Sequence, residues 1–565
     1  MAESQIVSHA YVTIGGKDLA KEAQSQLLAV QVDQHVHLPA MFMLRFHDPG
    51  MKLLDAGQID LTKLVEISSK TTDNQMVKLI SGEITALEPE FGEGMIAELT
   101  VQGYDRSHRL YRERKSKTYV NVKDSNLAEQ IANAAKLEAV VDATPTIYDH
   151  LYQHNQSDLS FLRQRAWRIG YECYVIDKTL YFRKPPTEAA TLTIAWGADL
   201  LAFRPRVALS EQVEEVWVKG WEVQKKATIL GRASQGKLYP DTSEKNGKAW
   251  SAALKQTSRV VLVDLPVVSQ AEADIVAAAR LDELSGAFIE AEGTAFRRPD
   301  IQAGRRIKIE GLGKRLSGVY LVTSASHTYT NKGLYTRFTV TGSRTGLLSE
   351  QFRDAPSSDR WPGVVPAIVT NSDDPQGWGR VKLKYPWMSD NEESHWARVV
   401  GAGGGPNCGL AMIPDVEDEV MVAFEHGDFD HPVVLGGLWN GKDALPNQVK
   451  DAPGGEKPQV RSWTSRTGHR ITMYDNSANK LVIETKGGLR VIMDDTNKSI
   501  TVESGNTIQV TAKGDITIKG NNLNIEANGN FQLNATGNVQ MKAGINANIE
   551  ASALAAVKAP QISLG

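Results

Sequence analysis

Two histidines one residue apart, His35 and His37, lie in a β-rich run over residues 27–37. Alternate positions of a strand share a face, so the pair could offer two imidazoles to one metal ion. Asp33 would join them if the strand is regular. No fourth ligand is evident, and an ordinary polar strand face is the expected outcome. The run His426-Gly427-Asp428-Phe429-Asp430-His431 also holds groups able to coordinate a cation. It falls where a hairpin turn is expected, which favours turn formation over metal binding. Gly401-Ala402-Gly403-Gly404-Gly405 has the composition of a phosphate-cradling loop. It lacks the Gly-Lys-Ser/Thr ending and a following helical pattern, so a flexible connection between strands is expected. Asp415, Glu417, Asp418 and Glu419 lie at a turn into a strand and form no acid/base pair. The basic run Arg109, Arg112, Arg114, Lys115 and Lys117 has the composition of a solvated face. No catalytic, cofactor or metal site is expected, and no cofactor.

The elements that must carry these residues are bounded by composition. At 565 residues the chain has room for three or four domains. Hydrophobic residues at 41% and charged residues at 23% exclude a disordered or fibrous chain. Lys+Arg at 63 against Asp+Glu at 67 argues against a dedicated nucleic-acid binder. Two distant cysteines, Cys173 and Cys408, exclude a disulfide scaffold. The start, MAESQIVSHAYVTIGG, has neither a basic nor an apolar leader segment, so export, if it occurs, is expected to use something other than a standard leader. No stretch approaches eighteen apolar residues.

Three zones differ in texture. Residues 1–350 read as mainly β with a few helices. Strands are expected over 27–37 and 40–47, separated by Leu38-Pro39, then over 78–87 and 95–104, 213–223 and 337–341. Helices are expected after Asp124-Ser125, after Ser157-Asp158, and from Ser269, where Glu272 completes a capping box. Residues 360–445 suggest five short strands separated by turn clusters, which suits a small OB-type barrel. The barrel's loops lack the aromatic-plus-basic interleaving of a nucleic-acid binder.

Residues 460–565 carry the strongest pattern. Apolar pairs with one residue between them occur at Ile500/Val502, Ile508/Val510, Ile516/Ile518, Leu523/Ile525, Phe531/Leu533, Val539/Met541, Ala547/Ile549, Ala555/Val557 and Ile562/Leu564. Their first members step by 8, 8, 7, 8, 8, 8, 8 and 7 residues. Fixed self-similarity means a repeat architecture. Asn506, Gly514, Asn521, Gly529 and Gly537 stand two residues before pairs and mark turns. Eight residues are too few for a coil of a single-chain solenoid, so one chain would expose a continuous apolar stripe. Three chains wound together would turn it inward, each large side chain contributing roughly 1.5–3 kcal/mol. An obligate trimer is therefore expected. From Asn521 onward only Glu526, Lys542, Glu550 and Lys558 are charged. A blunt end of three strands leaves apolar surface and unpaired backbone, so a separate capping protein is expected.

Together these features resemble the VgrG spike family of contractile injection systems. The carrying stretches are VDQHVHLPAMFMLRF from Val32, SGEITALEPEF from Ser81, VQGYDRSHRLYRER from Val101, YQHNQSDLSFLRQRAWRIGYE from Tyr152, DPQGWGRVKLKYPW from Asp374 and VEDEVMVAFEHGDFDHPVVLGGLWN from Val416. Their order and the octad repeat that follows carry the likeness over essentially the whole chain. The resemblance implies a phage-hub-like trimeric set of barrel domains at 1–350, an OB-fold neck at 360–445 and a triple-stranded β-helix needle at 460–565. It implies that the hub docks on a hexameric inner tube and on baseplate subunits, with the basic run 109–117 as a candidate contact. It implies a PAAR-type tip protein on Pro560, Ile562 and Leu564, effector cargo, transient contact with a target membrane, and no nucleic acid. Length and the form of the barrel segment are more similar to extracellular, phage-tail-like systems, released from the cell.

Some relatives carry a lysozyme between neck and needle, but the roughly 20 residues after Trp439-Asn440-Gly441 cannot hold a catalytic domain. The expected role is a mechanical, non-enzymatic spike. The alternatives are a tail-associated cell-wall hydrolase and a glycan-binding adhesin or tail fibre. No histidine follows His469, so a metal at the tip would have to belong to the cap.

Overall fold

Alternating apolar residues build the antiparallel strands Leu27–His35 and Leu38–His47, whose inner side chains Val30, Val32, Phe42, Leu44 and Phe46 are buried. Pro39 lies inside the second strand, not before it. Its other neighbour begins to pair only at Met41, so no ladder bond is lost to the missing N–H. In the computed structural model, residues 9–563 are described except 94–95, 223–226, 257, 264, 268, 343–362, 451 and 453–456. The chain forms two units, Met1–Asp443 and Ala444–Gly565, and the fold is mainly β.

In the first unit an eleven-stranded sheet joins strands from residues 10–105 to strands from 200–340. The seam is the antiparallel pair Leu27–His35 with Ser324–Thr330. Glycine is required where Phe42 lies across the sheet. A Cβ on Gly103 would stand 2.2 Å from the Glu83 carbonyl oxygen and 2.4 Å from Phe42 Cζ. Gly103→Ala is therefore expected to destabilise this sheet by about 1–3 kcal/mol, read by chemical denaturation.

Between the two halves of that sheet, residues 106–183 fold around a core of Leu127, Ile131, Leu151, Leu162 and Phe182. The predicted helices form here and beyond, as Asp124–Ala134, Asp158–Arg168 and Gln270–Gly286. Ser157 and Ser269 cap the last two by accepting from the N–H groups of Ser160 and Glu272. Among the described residues no helix is long and apolar enough to cross a membrane.

Residues 363–443 form the five-stranded barrel. Its strands are Val365–Asn371, Lys382–Lys384, Arg398–Val399, Glu419–Phe424 and Pro432–Gly437. Numbered along the chain, they run 2-1-4-5-3, with only the 3–5 pair parallel. A two-bond bridge between Val381 and Ala397 closes strand 3 on strand 2. That is the OB order 1-2-3-5-4-1.

The second unit opens with an antiparallel meander whose period sequence reading missed: Val460–Thr464, Arg470–Tyr474, Lys480–Glu484, Arg490–Asp494 and Ser499–Glu503. Its two faces differ: one mixes a charged row with Val460, Val482 and Ile492, the other is largely apolar. One row reads Arg470, Glu484, Arg490, Glu503 across four strands, each carboxylate opposite an arginine. Arg470–Glu484 and Arg490–Glu503 are ion pairs. On the same face Lys480 stands over the Tyr474 ring at 5.3 Å. The other face carries Trp463, Ile471, Met473, Leu481, Ile483, Val491, Met493, Ile500 and Val502.

From residue 504 the chain runs extended and bends at 505–506, 513–514, 521, 528–529, 536–537, 544–545, 552–553 and 560. These bends keep the step of the apolar pairs. Among the described residues of 504–563 no strand pairs with another.

Candidate functional site

No compact catalytic constellation assembles from the residues singled out by chemistry. Asp33 and His35 stay in step, pairing with Ser326 and Ser324, and the extra residue of the bulge opposite them lies in the partner strand between Leu38 and Met41; the strand ends at His35, so His37 lies in the turn and leaves that face. Asp33 instead accepts from Gln31 Nε2 at 2.8 Å, and the backbone N–H of His37 donates to His35 Nδ1 at 3.0 Å. Burial, with the Arg163 charge adding to it, pulls His35 down to about 4. Burial, then His35, then Arg163 pull His37 to about 3. A nearby guanidinium also repels any cation. Among the described residues no group of three or more His, Cys, Asp or Glu is placed to hold a metal ion.

The basic run is partly neutralised within the chain. Arg109 binds Glu83 through Nε at 2.9 Å, and His108 meets the same carboxylate at 3.0 Å. Lys115 pairs with Asp158 at 2.7 Å, and Lys117 lies over the Tyr119 ring at 4.9 Å. Arg112 and Arg114 are left exposed. Cys173 is buried, which pushes its thiol up to about 12, and Cys408 is exposed in the Gly-rich loop; both are free.

Two motifs that resembled metal or family signatures turn out to build the barrel and its joint to the hub. In Asp374-Pro375-Gln376-Gly377-Trp378-Gly379-Arg380, the Asp374 carboxylate accepts from the N–H groups of Gln376, Trp378 and Arg380 and from the Arg380 guanidinium. The Arg380 hydrogen bonds, helped by those backbone N–H groups, hold the acid well below the usual carboxylate range. Arg380 itself lies between the rings of Trp378 and Trp396, at 4.8 and 5.7 Å. The residues 426–431 form the expected turn, between the fourth and fifth barrel strands. Phe429 enters the barrel core.

The joint was not foreseen. Strand Tyr148–Ser157 of the hub has two working faces. Leu151 packs into the hub core, while Tyr152, two-sided with it, belongs to the barrel core with Val369, Leu383, Tyr385 and Val422. Tyr152 meets Phe429 at 5.8 Å, and His154 meets Phe429 at 4.1 Å and Trp387 at 5.2 Å. His150, on the same face, contacts Asp430 at 3.2 Å and the Glu393 carbonyl at 3.2 Å. Period-two spacing of His150, Tyr152 and His154 was a readable signal; the partner some 230–280 residues away was not.

The spike residues are exposed in one chain. Ile516 is 54% exposed, Ile518 70% and Met541 74%. Ile500, Val502, Ile508, Val510, Leu523, Ile525, Phe531, Leu533, Val539, Ile549 and Val557 are exposed too, and so is Ile562 near the end. Pro560 lies at a bend, and Leu564 falls outside the described residues.

The comparisons agree with this architecture. The family described as "Type VI secretion system/phage-baseplate injector OB domain" matches residues 365–439, and the "Alg8 N-terminal domain" family matches 58–331. The type VI secretion system spike protein VgrG1b of Pseudomonas aeruginosa is 28% identical over 155 residues, 26% of this chain and 20% of that protein. The spike protein VgrG3 of Vibrio cholerae is 29% identical over 172 residues, 27% of this chain and 17% of that protein. The aligned stretches thus span about a fifth of those relatives' length. Among solved structures, the Francisella PdpA-VgrG complex in its half-lidded form superposes with a TM-score of 0.52, covering 88% of each chain at 8% identity, which speaks to the fold. The curated VgrG relatives, and the injector OB-domain family over the barrel, support a VgrG-family spike.

Proposed function

We propose that three copies of this chain form the central hub and spike of a contractile injection machine. The observation that carries this is the stripe of large apolar side chains, from Ile500 to Ile562, left exposed by a single chain. Water-exposed stripes of this length are costly, and two further copies of the same stripe are the matching cover. The apolar meander face, ending in Ile500 and Val502, runs directly into the octads and extends the same interface upstream.

In this reading the hub joins an inner tube and baseplate subunits, with Arg112 and Arg114 the free charges of the 109–117 run. The OB barrel is the neck, and the octads wind into a triple-stranded β-helix that punctures a target envelope mechanically. The chain itself performs no bond chemistry. A PAAR-type tip protein covers Pro560, Ile562 and Leu564, effector cargo rides with it, and the particle is released as a phage-tail-like assembly. The curated relatives, named as type VI secretion spikes, support the spike role; extracellular release is the finer part of the proposal.

Native mass spectrometry of the purified full chain tests it. The expected mass is three times the 61.9 kDa of one chain. A well-folded single-copy species with an ordered octad segment would sink the proposal. Purified protein is also expected to leave peptidoglycan intact; muralytic release would favour the hydrolase alternative.

A further inference from the structure

His150 makes two contacts that cannot both be satisfied by a neutral ring. Its Nε2 faces the Glu393 carbonyl oxygen at 3.2 Å, and a carbonyl only accepts, so Nε2 carries a hydrogen. Its Nδ1 faces Asp430 Oδ1 at 3.2 Å. A neutral imidazole would present a lone pair there to a carboxylate. One more proton must sit on Nδ1 or on Asp430. We propose that the joint between the hub strand Tyr148–Ser157 and the barrel turn 426–431 is closed by this shared proton and loosens as pH rises.

The surroundings favour keeping the proton. Asp428 lies beside Asp430, accepting from its backbone N–H at 2.9 Å, so two carboxylates crowd one half-buried turn. His431 Nδ1 stands 3.4 Å from Asp428. From the packed helices comes Arg168, which binds Glu272 at 2.9 Å. With the shared proton in place and His431 charged, the positive and negative charges of this cluster balance. The remaining charges neutralise one another: Arg165 with Asp124, Arg380 with Asp374, Lys382 with Glu393 and Arg398 with Glu425. Lys219, Asp149 and His426 line a cavity of about 860 Å³ beside the turn, which gives water a route to the pair. Removing the shared proton therefore leaves an uncompensated negative charge in a half-buried place.

The pKa directions agree in sign. Burial, with the Asp428 charge adding to it, pushes Asp430 up against the hydrogen bond and charge of His150 and the charge of His431. Burial opposes protonation of His431, but Asp428 and Asp430 outweigh it and raise it. Groups raised on folding contribute fully below their unfolded values and lose that contribution as pH climbs through the folded ones. His395, stacked on His150 at 5.8 Å, has the opposite sign. Burial, then the charges of His150 and His431, lower it to about 4, so its contribution fades between about 6.5 and 4 as pH falls. The joint is tightest between those arms.

Hydrogen–deuterium exchange of the full chain, read by mass spectrometry, resolves peptides from 148–157 and 426–431. After correction for intrinsic exchange, their protection is expected to fall as pH rises, by up to about tenfold per pH unit, the slope of one linked proton. Asp430→Asn offers an amide N–H to the neutral ring, so it should keep the protection and flatten the slope. His150→Gln cannot share a proton with Asp430 and must reduce the slope too, leaving what His431 contributes, whether or not Asp430→Asn assembles. A flat wild-type profile, or an unchanged slope in the substituted chains, overturns the proposal.

Discussion

Ile516→Asp is expected to abolish the three-chain assembly. In the proposed spike this side chain faces the common axis, so one substitution sets three carboxylates together away from water. Burying ionised groups without partners costs several kcal/mol each, and like charges at close range add to it. The loss should reach at least about 5 kcal/mol per assembly. Size-exclusion chromatography with light scattering should show single chains, and thermal unfolding should shift far down. Thr517→Asp is the control: the neighbouring position points the other way along the strand and should leave mass and melting nearly unchanged. Equal tolerance of both substitutions would show that Ile516 does not face inward.

The second large effect belongs to the joint. Tyr152→Ala empties a ring site that the hub strand fills in the barrel core, against Tyr385 and Phe429. Loss of a buried aromatic ring costs about 3–5 kcal/mol. The barrel should lose exchange protection well before the hub core around Leu127 and Leu162 does. Tyr152→Phe keeps the ring and should retain most of the stability. Loss of protection spread evenly over hub and barrel would mean that Tyr152 does not couple them.

Sequence reading succeeded where one local rule governed. Ser157 and Ser269 announced helix starts because capping is satisfied within three residues. The five barrel strands were visible because Asp374-Pro375 and the Gly401–Gly405 run interrupt the alternation. The octads were visible because the pattern repeats. Reading failed where the partner is remote or the pattern is diluted. The turn at His426–His431 was read as a turn, but nothing local says that Asp430 meets His150 some 280 residues away. Pro39 was taken as a boundary, since sequence does not show that the neighbouring ladder begins at Met41. The meander was missed because Arg470, Glu484, Arg490 and Glu503 occupy strand ends and blur its apolar face into a polar background.

Those same four residues have a consequence for folding fidelity. A hairpin that slips by two residues keeps the pleat intact, and hydrophobicity alone would barely notice the mistake. Here the slip would set the Arg470 guanidinium against Val482 in place of Glu484, and the later hairpins carry the same check in Glu484 opposite Arg490 and Arg490 opposite Glu503. The alternating row thus works as a proofreading code, rejecting misaligned hairpins before the sticky side of the sheet meets its neighbours.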